Sequence, residues 1–351
     1  MLRPMGGAKS NNTPETPAPG EDTQMTPLSR RSVLKMATAA GAASLIAAPA
    51  IAQQPVKMRI AKSVTTSFPF AGLELGVEAG IWKAEGIDAE MISFSGDARM
   101  QQAFTANSID IGLGSGPGMG YASKGVPAHA VAALANKPEN MALVVGKDSK
   151  IHSIDDLKGK RIGVTTAGSL TDWLARKIST ERGWGPEGVE IVPMGDMRTR
   201  MAAMETGDLP ANVTATEQAF QIQDDGQGKV LLTFGEIVPH FHTHVIFAHA
   251  NMIKNRPEDV KRFLRAWFKV AKYMKDNKEA TIKSVARTMK LSEKVIAEAY
   301  DIELGMMSFD GQFDMQALQL IRASLKELGI TEVEPSIDQM YVKGFAPVVL
   351  N

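Results

Sequence analysis

Met58-Arg59-Ile60-Ala61-Lys62-Ser63-Val64 alternates and runs into Thr65-Thr66-Ser67; Phe70 to Ala79 then has helical spacing, Gly80 closes it, and Ile87 to Phe94 alternates again. A strand, a helix and a strand in that order predict a parallel unit, because parallel neighbours need a crossover that a helix supplies. Working outward, Arg99 to Thr105 reads as a helix. Ile109-Asp110-Ile111-Gly112-Leu113 reads as a third strand that enters Gly114-Ser115-Gly116-Pro117-Gly118 directly, and Ala128 to Leu134 and Met141 to Val145 are further apolar strands.

After the polar stretch Gly146 to Lys150 the rhythm starts afresh. Ile162 to Thr165 is a strand, and Ser169 to Thr180 a helix in which Ser169 and Asp172 have capping-box spacing. Strand Val189 to Pro193, helix Arg198 to Glu205 and strand Val213 to Thr216 follow, Glu217 opens a further helix, and Val230 to Leu232 and His242 to Phe247 finish the block. Beyond Asn251 the spacing is helical only: Arg256 to Asp276, Glu279 to Met289, Ser292 to Leu304 and Asp314 to Leu328. Val260, Phe263, Leu264, Trp267, Val270, Ala271 and Met274 share one face of the first of these, an apolar stripe that needs a partner surface. The fold class is therefore α/β, two small doubly wound domains with a helical tail that packs back on the first.

Composition narrows the function. The 351 residues carry 39 basic and 39 acidic side chains, so no global charge draws the chain to nucleic acid. With no cysteine there are no disulfides, thiolate nucleophiles, cysteine-ligated metal sites or lipidated cysteines. The first 26 residues are rich in Pro, Gly, Asn and Thr and read as an unstructured leader. Ser29-Arg30-Arg31-Ser32-Val33-Leu34-Lys35, the mild apolar run Met36 to Pro49 and the small residues Ala50-Ile51-Ala52 resemble a twin-arginine export signal, with Val33 where Phe is common. The run is short and alanine-rich for a membrane span. A cut after Ala52 leaves a mature chain that begins at Gln53 and works in the periplasm.

In parallel sheets, ligands meet the loops at the carboxyl ends of the strands, where the free N–H groups of following helices hold anions or polar oxygens. Four such ends carry short polar residues or glycine. They are Thr66, Ser67 and Phe68; Ser115 and Gly116; Gly168, Ser169, Leu170 and Thr171; and Glu217 after Thr214-Ala215-Thr216. Glycine spacing around Gly112 to Pro117 departs from the dinucleotide fingerprint, and neither a phosphate loop, a Gly-x-Ser-x-Gly elbow nor a His-Glu-x-x-His helix occurs. His240, His242 and His244 alternate, so on an extended segment their rings share a face. That leaves metal binding or hydrogen bonding to a ligand; the second is simpler, and no metal or cofactor is assigned.

Four segments carry a family resemblance: Gly76-Val77-Glu78-Ala79-Gly80-Ile81-Trp82-Lys83-Ala84-Glu85-Gly86-Ile87-Asp88, Ser108-Ile109-Asp110-Ile111-Gly112, Leu157-Lys158-Gly159-Lys160-Arg161-Ile162-Gly163-Val164 and Asn255-Arg256-Pro257-Glu258-Asp259-Val260-Lys261-Arg262-Phe263. In order and spacing the chain, from Val56 to about Gly329, resembles the periplasmic solute-binding proteins for nitrate, sulfonate and taurine, the NMT1/THI5-like group that also contains thiamine-pyrimidine-precursor proteins. The resemblance implies a two-lobed periplasmic-binding-protein fold of type II with a two-strand hinge. Lobe one would be 56–144 plus 247–351, lobe two 145–246, with crossings near Met141 to Gly146 and His242 to Ala248. It implies the same four strand ends as the ligand site, with His242 and His244 on the cleft side of the hinge.

One segment departs from the family pattern, Gly207-Asp208-Leu209-Pro210-Ala211-Asn212-Val213-Thr214-Ala215-Thr216-Glu217, and no Arg or Lys falls on a cleft loop, although Lys62 and Arg198 are near. The expectation is a monomeric, non-enzymatic receptor that takes a small polar organic solute, a sulfonate, carboxylate or nitrogen compound, to an inner-membrane ABC permease and its ATPase. The alternatives are a pyrimidine-synthesis-type enzyme of the same fold and a solute sensor.

Overall fold

The computed structural model describes residues 54–350. The leader and the twin-arginine stretch lie outside them. Among the described residues ten strands are formed: β1 (Val56–Lys62), β2 (Ile87–Ser93), β3 (Ile111–Ser115), β4 (Ala128–Ala135), β5 (Met141–Gly146), β6 (Arg161–Val164), β7 (Glu190–Pro193), β8 (Ala211–Ala215), β9 (Gly228–Thr233) and β10 (His244–His249). They make two five-stranded sheets, ordered β2-β1-β3-β10-β4 and β7-β6-β8-β5-β9.

In the first sheet β1 pairs in parallel with both β2 and β3, Val56 opposite Ile87 and Ile60 opposite Ile111, while β10 runs antiparallel between β3 and β4. The second sheet repeats the plan: β6 is parallel to β7 and β8, and β5 runs antiparallel between β8 and β9. Each sheet thus receives one antiparallel strand from the chain as it crosses over. The carboxyl ends of the parallel strands and the starts of β5 and β10 consequently lie at the same edge.

The crossings differ from the expected boundaries. β5 pairs from Met141 to Val145 with β8 and belongs wholly to the second sheet, while β10 pairs from His244 to Ala248 with β3 and belongs wholly to the first. A boundary between Val144 and Val145 would cut a continuous ladder. The chain crosses instead in 136–140 and 234–243, which hold the short 3-10 turns Pro138–Asn140 and Phe234–Glu236.

The helical tail begins with Pro257–Asp276, and all seven residues of its apolar stripe are buried. Its partner is the helix Gly72–Glu78, which approaches so closely at Gly76 that a Cβ there would lie 2.5 Å from Trp82 Nε1 and 2.7 Å from Val270 Cγ2. Trp82 stacks on Phe263 at 5.5 Å between centroids and donates its Nε1–H to the Leu73 carbonyl at 2.8 Å. The indole is thereby buried without an unsatisfied donor. Among the described residues no helix is long and apolar enough to cross a membrane.

Candidate functional site

Between the lobes lies a cavity of about 100 Å³ whose walls are built at the strand ends just described. The loop after β1 supplies Thr66 and Ser67, the end of β3 supplies Ser115, and the turn after β6 supplies Thr165, Ser169, Leu170 and Thr171. His244 closes one side from the start of β10, and Gln218 reaches in from the helix Thr216–Asp224.

The hydroxyls of the second lobe are pre-arranged. Thr165 Oγ1 lies 3.0 Å from Ser169 Oγ and 2.9 Å from Thr171 Oγ1, and Ser169 Oγ lies 2.9 Å from Thr171 Oγ1. Three mutually bonded hydroxyls stand at the N-terminus of the helix Leu170–Glu181, where backbone N–H groups also point outward. Ser169 caps that helix as the sequence spacing predicts, accepting from the Asp172 N–H at 3.4 Å.

The cavity also holds a cation. Arg200, on the helix Met197–Glu205, is 4% exposed and lines the cavity. One terminal nitrogen donates to Asn212 Oδ1 and to the Val213 carbonyl, both at 2.6 Å. Both acceptors are neutral; Arg200 has no ion-pair partner among the described residues, and its buried Nε–H has no acceptor. Burial pushes its pKa down to about 10, so it remains cationic at neutral pH. The Asp196 carboxylate, one turn earlier on the same cavity wall, acts on Arg200 through space without forming an ion pair, so a buried guanidinium with a spare donor is the strongest feature of the site.

Asp97, first residue of the helix Asp97–Thr105, faces the cavity from the first lobe. Its carboxylate accepts the Ser115 N–H at 3.1 Å and the hydroxyls of Ser115 and Ser63. Burial raises its pKa against these hydrogen bonds. Asp97 thereby fixes the Ser115 side chain at the end of β3.

The sequence-chosen residues therefore divide. Thr66, Ser67, Ser115, Ser169, Leu170, Thr171 and His244 line the cavity; Phe68, Gly116, Gly168, Glu217 and His242 do not. Phe68 is fully buried, edge-on to Tyr300 at 6.2 Å, because its ring completes the first-lobe core. Gly116 is required for packing: a Cβ there would lie 2.4 Å from the His242 carbonyl. Gly168 takes φ +73° in the turn and donates its N–H to Asp172 Oδ2 at 2.8 Å. Glu217 has no exposed surface, accepts the Phe68 N–H at 3.2 Å across the lobe boundary, and contacts Glu303 rather than the cavity.

The alternating histidines do not converge. β10 begins only at His244, so the extended geometry that would align the rings is missing at 240 and 242. His240 is exposed beside Asp314 Oδ2 at 3.3 Å, while His242 is held between Asn136 Oδ1 and the Asp314 N–H, each at 2.9 Å. His244 Nε2 is 3.5 Å from Ser67 Oγ, and its Nδ1 faces Thr243 Oγ1 at 3.1 Å, so a hydroxyl rather than a carboxylate backs this ring. Among the described residues no group of three or more potential ligands could hold a metal ion. Of the two expected nearby cations, Lys62 is paired with Glu74 and Arg198 lines a neighbouring groove.

Burial lowers the pKa of His242 to about 4 and of His244 to about 3. In the unfolded chain each would titrate near ~6.5. Unfolding therefore takes up protons below that value, and the stability contributed by the neutral rings is complete above pH ~6.5 and declines as pH falls, by up to ~1.4 kcal/mol per unit for each. Urea midpoints should drop steadily between pH ~6.5 and ~4, with a shallower slope in His244→Gln. Because the buried acids Asp97, Glu217 and Glu303 act in the opposite direction over this range, the comparison with His244→Gln decides: an unchanged slope in that variant would contradict the neutral burial.

The chain matches the family model described as NMT1/THI5 like over residues 67–281, more than half of its length. A Brucella abortus (strain 2308) protein, whose name gives it only a general binding role, is 26% identical over 218 residues; the match takes in 62% of this chain and 66% of that protein, so the chain spans just under two thirds of the relative's length. The alkanesulfonate-binding protein SsuA from Xanthomonas axonopodis pv. citri, solved with MOPS bound, superposes with a TM-score of 0.68 at 16% identity, over 81% of this chain and 96% of that one. The desulfurization enzyme DSZB shares the fold at a TM-score of 0.57 and 18% identity, over 82% and 97% of the two chains. The family match spans most of both sheets and the walls of the interlobe cavity, and by its extent this chain belongs to the NMT1/THI5-like family.

Proposed function

We propose that the chain is a solute-binding protein that closes its two lobes over a small organic anion. The observation that carries this reading is Arg200, buried at the cavity wall as a cation with no ion-pair partner among the described residues and a free Nε–H. A sulfonate or carboxylate supplies the missing charge and acceptor, and the hydroxyls of Thr165, Ser169 and Thr171, each with one proton, donate to its other oxygens by turning away from one another. The sequence left a sulfonate, a carboxylate and a nitrogen compound open, with no basic residue on a cleft loop; a helix-borne arginine favours the acids among them.

Size narrows the class. An apolar cavity of roughly 150 Å³ takes up benzene, so about 100 Å³ suits a compact head group. A larger substituent has a route outward, because a groove of about 510 Å³ shares Thr66, Met197 and Gln218 with the cavity and continues past Met289 and Leu291. In this reading the protein is exported to the periplasm and delivers the solute to an ABC permease and its ATPase; among fold relatives, one is named a periplasmic aliphatic sulphonate binding protein and another the ligand-binding component of an ABC-type import system.

The shared fold of a desulfurization enzyme supports a second reading, turnover of a sulfur-containing acid in the same cleft. The experiment that separates them is titration calorimetry of the mature protein with alkyl sulfonates, aromatic carboxylates, ureides and pyrimidines, followed by mass spectrometry of the recovered solute. Stoichiometric binding of an intact acid supports the receptor, chemical conversion supports the enzyme, and preference for the uncharged ureides and pyrimidines over every acid would remove the role given to Arg200.

A further inference from the structure

The lobes also meet at two buried acids outside the cavity. Glu217 lies in the first turn of the second-lobe helix Thr216–Asp224. Glu303 lies on the helix Glu293–Met306, whose Ile296, Tyr300 and Leu304 pack into the first-lobe core. Neither side chain has exposed surface, and the two lie within hydrogen-bond range of each other. One oxygen of each is held from elsewhere: the Phe68 N–H donates to Glu217 Oε1 at 3.2 Å, and Asn140 Nδ2–H donates to Glu303 Oε2 at 3.3 Å. The other two, Glu217 Oε2 and Glu303 Oε1, are buried with no donor.

Two ionised carboxylates offer only acceptors and repel one another, whereas a single proton between them makes a strong O–H···O⁻ bond and removes one charge from the interior. We infer that Glu217 and Glu303 form a proton-binding site across the lobe boundary, so that closing the lobes takes up one proton from solvent and opening them releases it. Linked to the proposed function, the solute then binds together with a proton.

The charges on the surrounding elements do not substitute for that proton. On the two helices themselves Lys294 bridges to Asp224 and Asp301 to Lys278, while the Tyr300 hydroxyl donates to the Met274 carbonyl. On the crossing segment Lys137 pairs with Glu139, and Glu236 follows in the second crossing. Lys229 of β9 faces His152, Arg287 of the helix Lys278–Met289 pairs with Glu78, and Lys62 before the Thr65–Phe68 loop pairs with Glu74. None of these donates to a carboxyl oxygen of the pair. Burial raises the affinity of both acids for a proton; the Glu217 charge raises that of Glu303 further, while the hydrogen bond from Glu303 works against the rise at Glu217.

With the lobes apart the acids face water and titrate near ~4.3. The closed form binds more protons above that value, so its advantage is complete at lower pH and is lost as pH rises through the raised value, up to tenfold in the closed-to-open ratio per pH unit for one proton.

The cysteine-free chain accepts two spin labels, at Val77→Cys in the first lobe and Glu187→Cys in the second, both exposed positions. Interlobe distances measured on the mature protein without solute from pH ~5 to ~9, a range that extends past the raised value of about 7 for Glu217, should shift from closed to open as pH rises. Glu217→Gln and, independently, Glu303→Gln should flatten the shift, because an amide donates to the remaining carboxylate without a titrating proton; if one variant does not fold, the other decides. A distance distribution that is constant with pH, closed or open, overturns the proposal. So does a shift that survives both substitutions, or closure that increases with pH, as a bound metal cation would produce. The solute-binding reading fails separately, in the titrations above, and leaves this pH dependence intact.

Discussion

Replacing Arg200 by methionine is expected to weaken binding of the anionic solute by about thirtyfold or more. Removing one member of a buried, hydrogen-bonded charge pair costs about 2–5 kcal/mol, and each 1.4 kcal/mol is tenfold in the dissociation constant. Methionine keeps most of the aliphatic volume, so the helix Met197–Glu205 retains its packing while the charge and the free Nε–H are lost. Asn212 Oδ1 and the Val213 carbonyl lose their donor as well, which adds a stability cost of about 1–3 kcal/mol. Calorimetric titration and thermal melting of the same preparation separate the two effects. Arg200→Lys is the control: it restores a charge but not the planar set of donors, and binding should fall between wild type and Arg200→Met. Unchanged affinity in Arg200→Met, with the protein folded, would show that the anion is held elsewhere.

Arg200 also shows what the sequence hides. The strand and helix alternation was legible from Met58 onward because parallel units bury whole strands and one helix face, and both leave a period. The cavity was legible at Ser67, Ser115 and Ser169 because parallel strands of both sheets point their carboxyl ends at one cleft, wherever the lobes meet. Arg200 stands within a helix, where only its phase decides between solvent and cleft. Asp196 caps that helix, accepting from the Thr199 N–H at 3.0 Å, and Arg200 one turn later turns inward while Arg198 faces the outer groove. A partial signal was available in Asn212, a polar residue just before the predicted strand Val213 to Thr216; the structure buries it within β8, where it needs a partner.

Asp97 was missed because its helix begins two residues before the expected start at Arg99. The histidines misled for a related reason: alternation aligns side chains only within a strand, and the strand begins at the last of the three. Glu217 was placed correctly at a helix start, but its direction depends on how the helix Glu293–Met306 docks nearly ninety residues later, a contact that no local pattern records.

Trp173 should carry the largest single share of stability at the junction of the second lobe with the rest of the chain. It lies on the helix Leu170–Glu181 with no exposed surface, stacked on Phe241 of the second crossing at 4.3 Å and 11°, and its Nε1–H donates to Glu327 Oε2 at 2.8 Å. Phe241 precedes β10, and Glu327 ends the helix Met315–Glu327, so one side chain ties a second-lobe helix to both the crossing and the helical tail. Trp173→Ala should lower the unfolding free energy by about 3–5 kcal/mol through lost contacts and the cavity left behind. That is a large part of the ~5–15 kcal/mol available to a folded domain. Trp173→Phe keeps a ring against Phe241 and loses the bond to Glu327 and part of the indole's buried volume, a smaller cost of about 1–3 kcal/mol. Since Ser169 and Thr171 flank the start of the same helix, the alanine variant should also bind solute more weakly at temperatures below its melt, and the phenylalanine variant should not. Urea unfolding of the three proteins measures the first difference and calorimetric titration the second; a loss below ~1 kcal/mol in Trp173→Ala would mean that the stack is dispensable and that the helix is held by its remaining buried face.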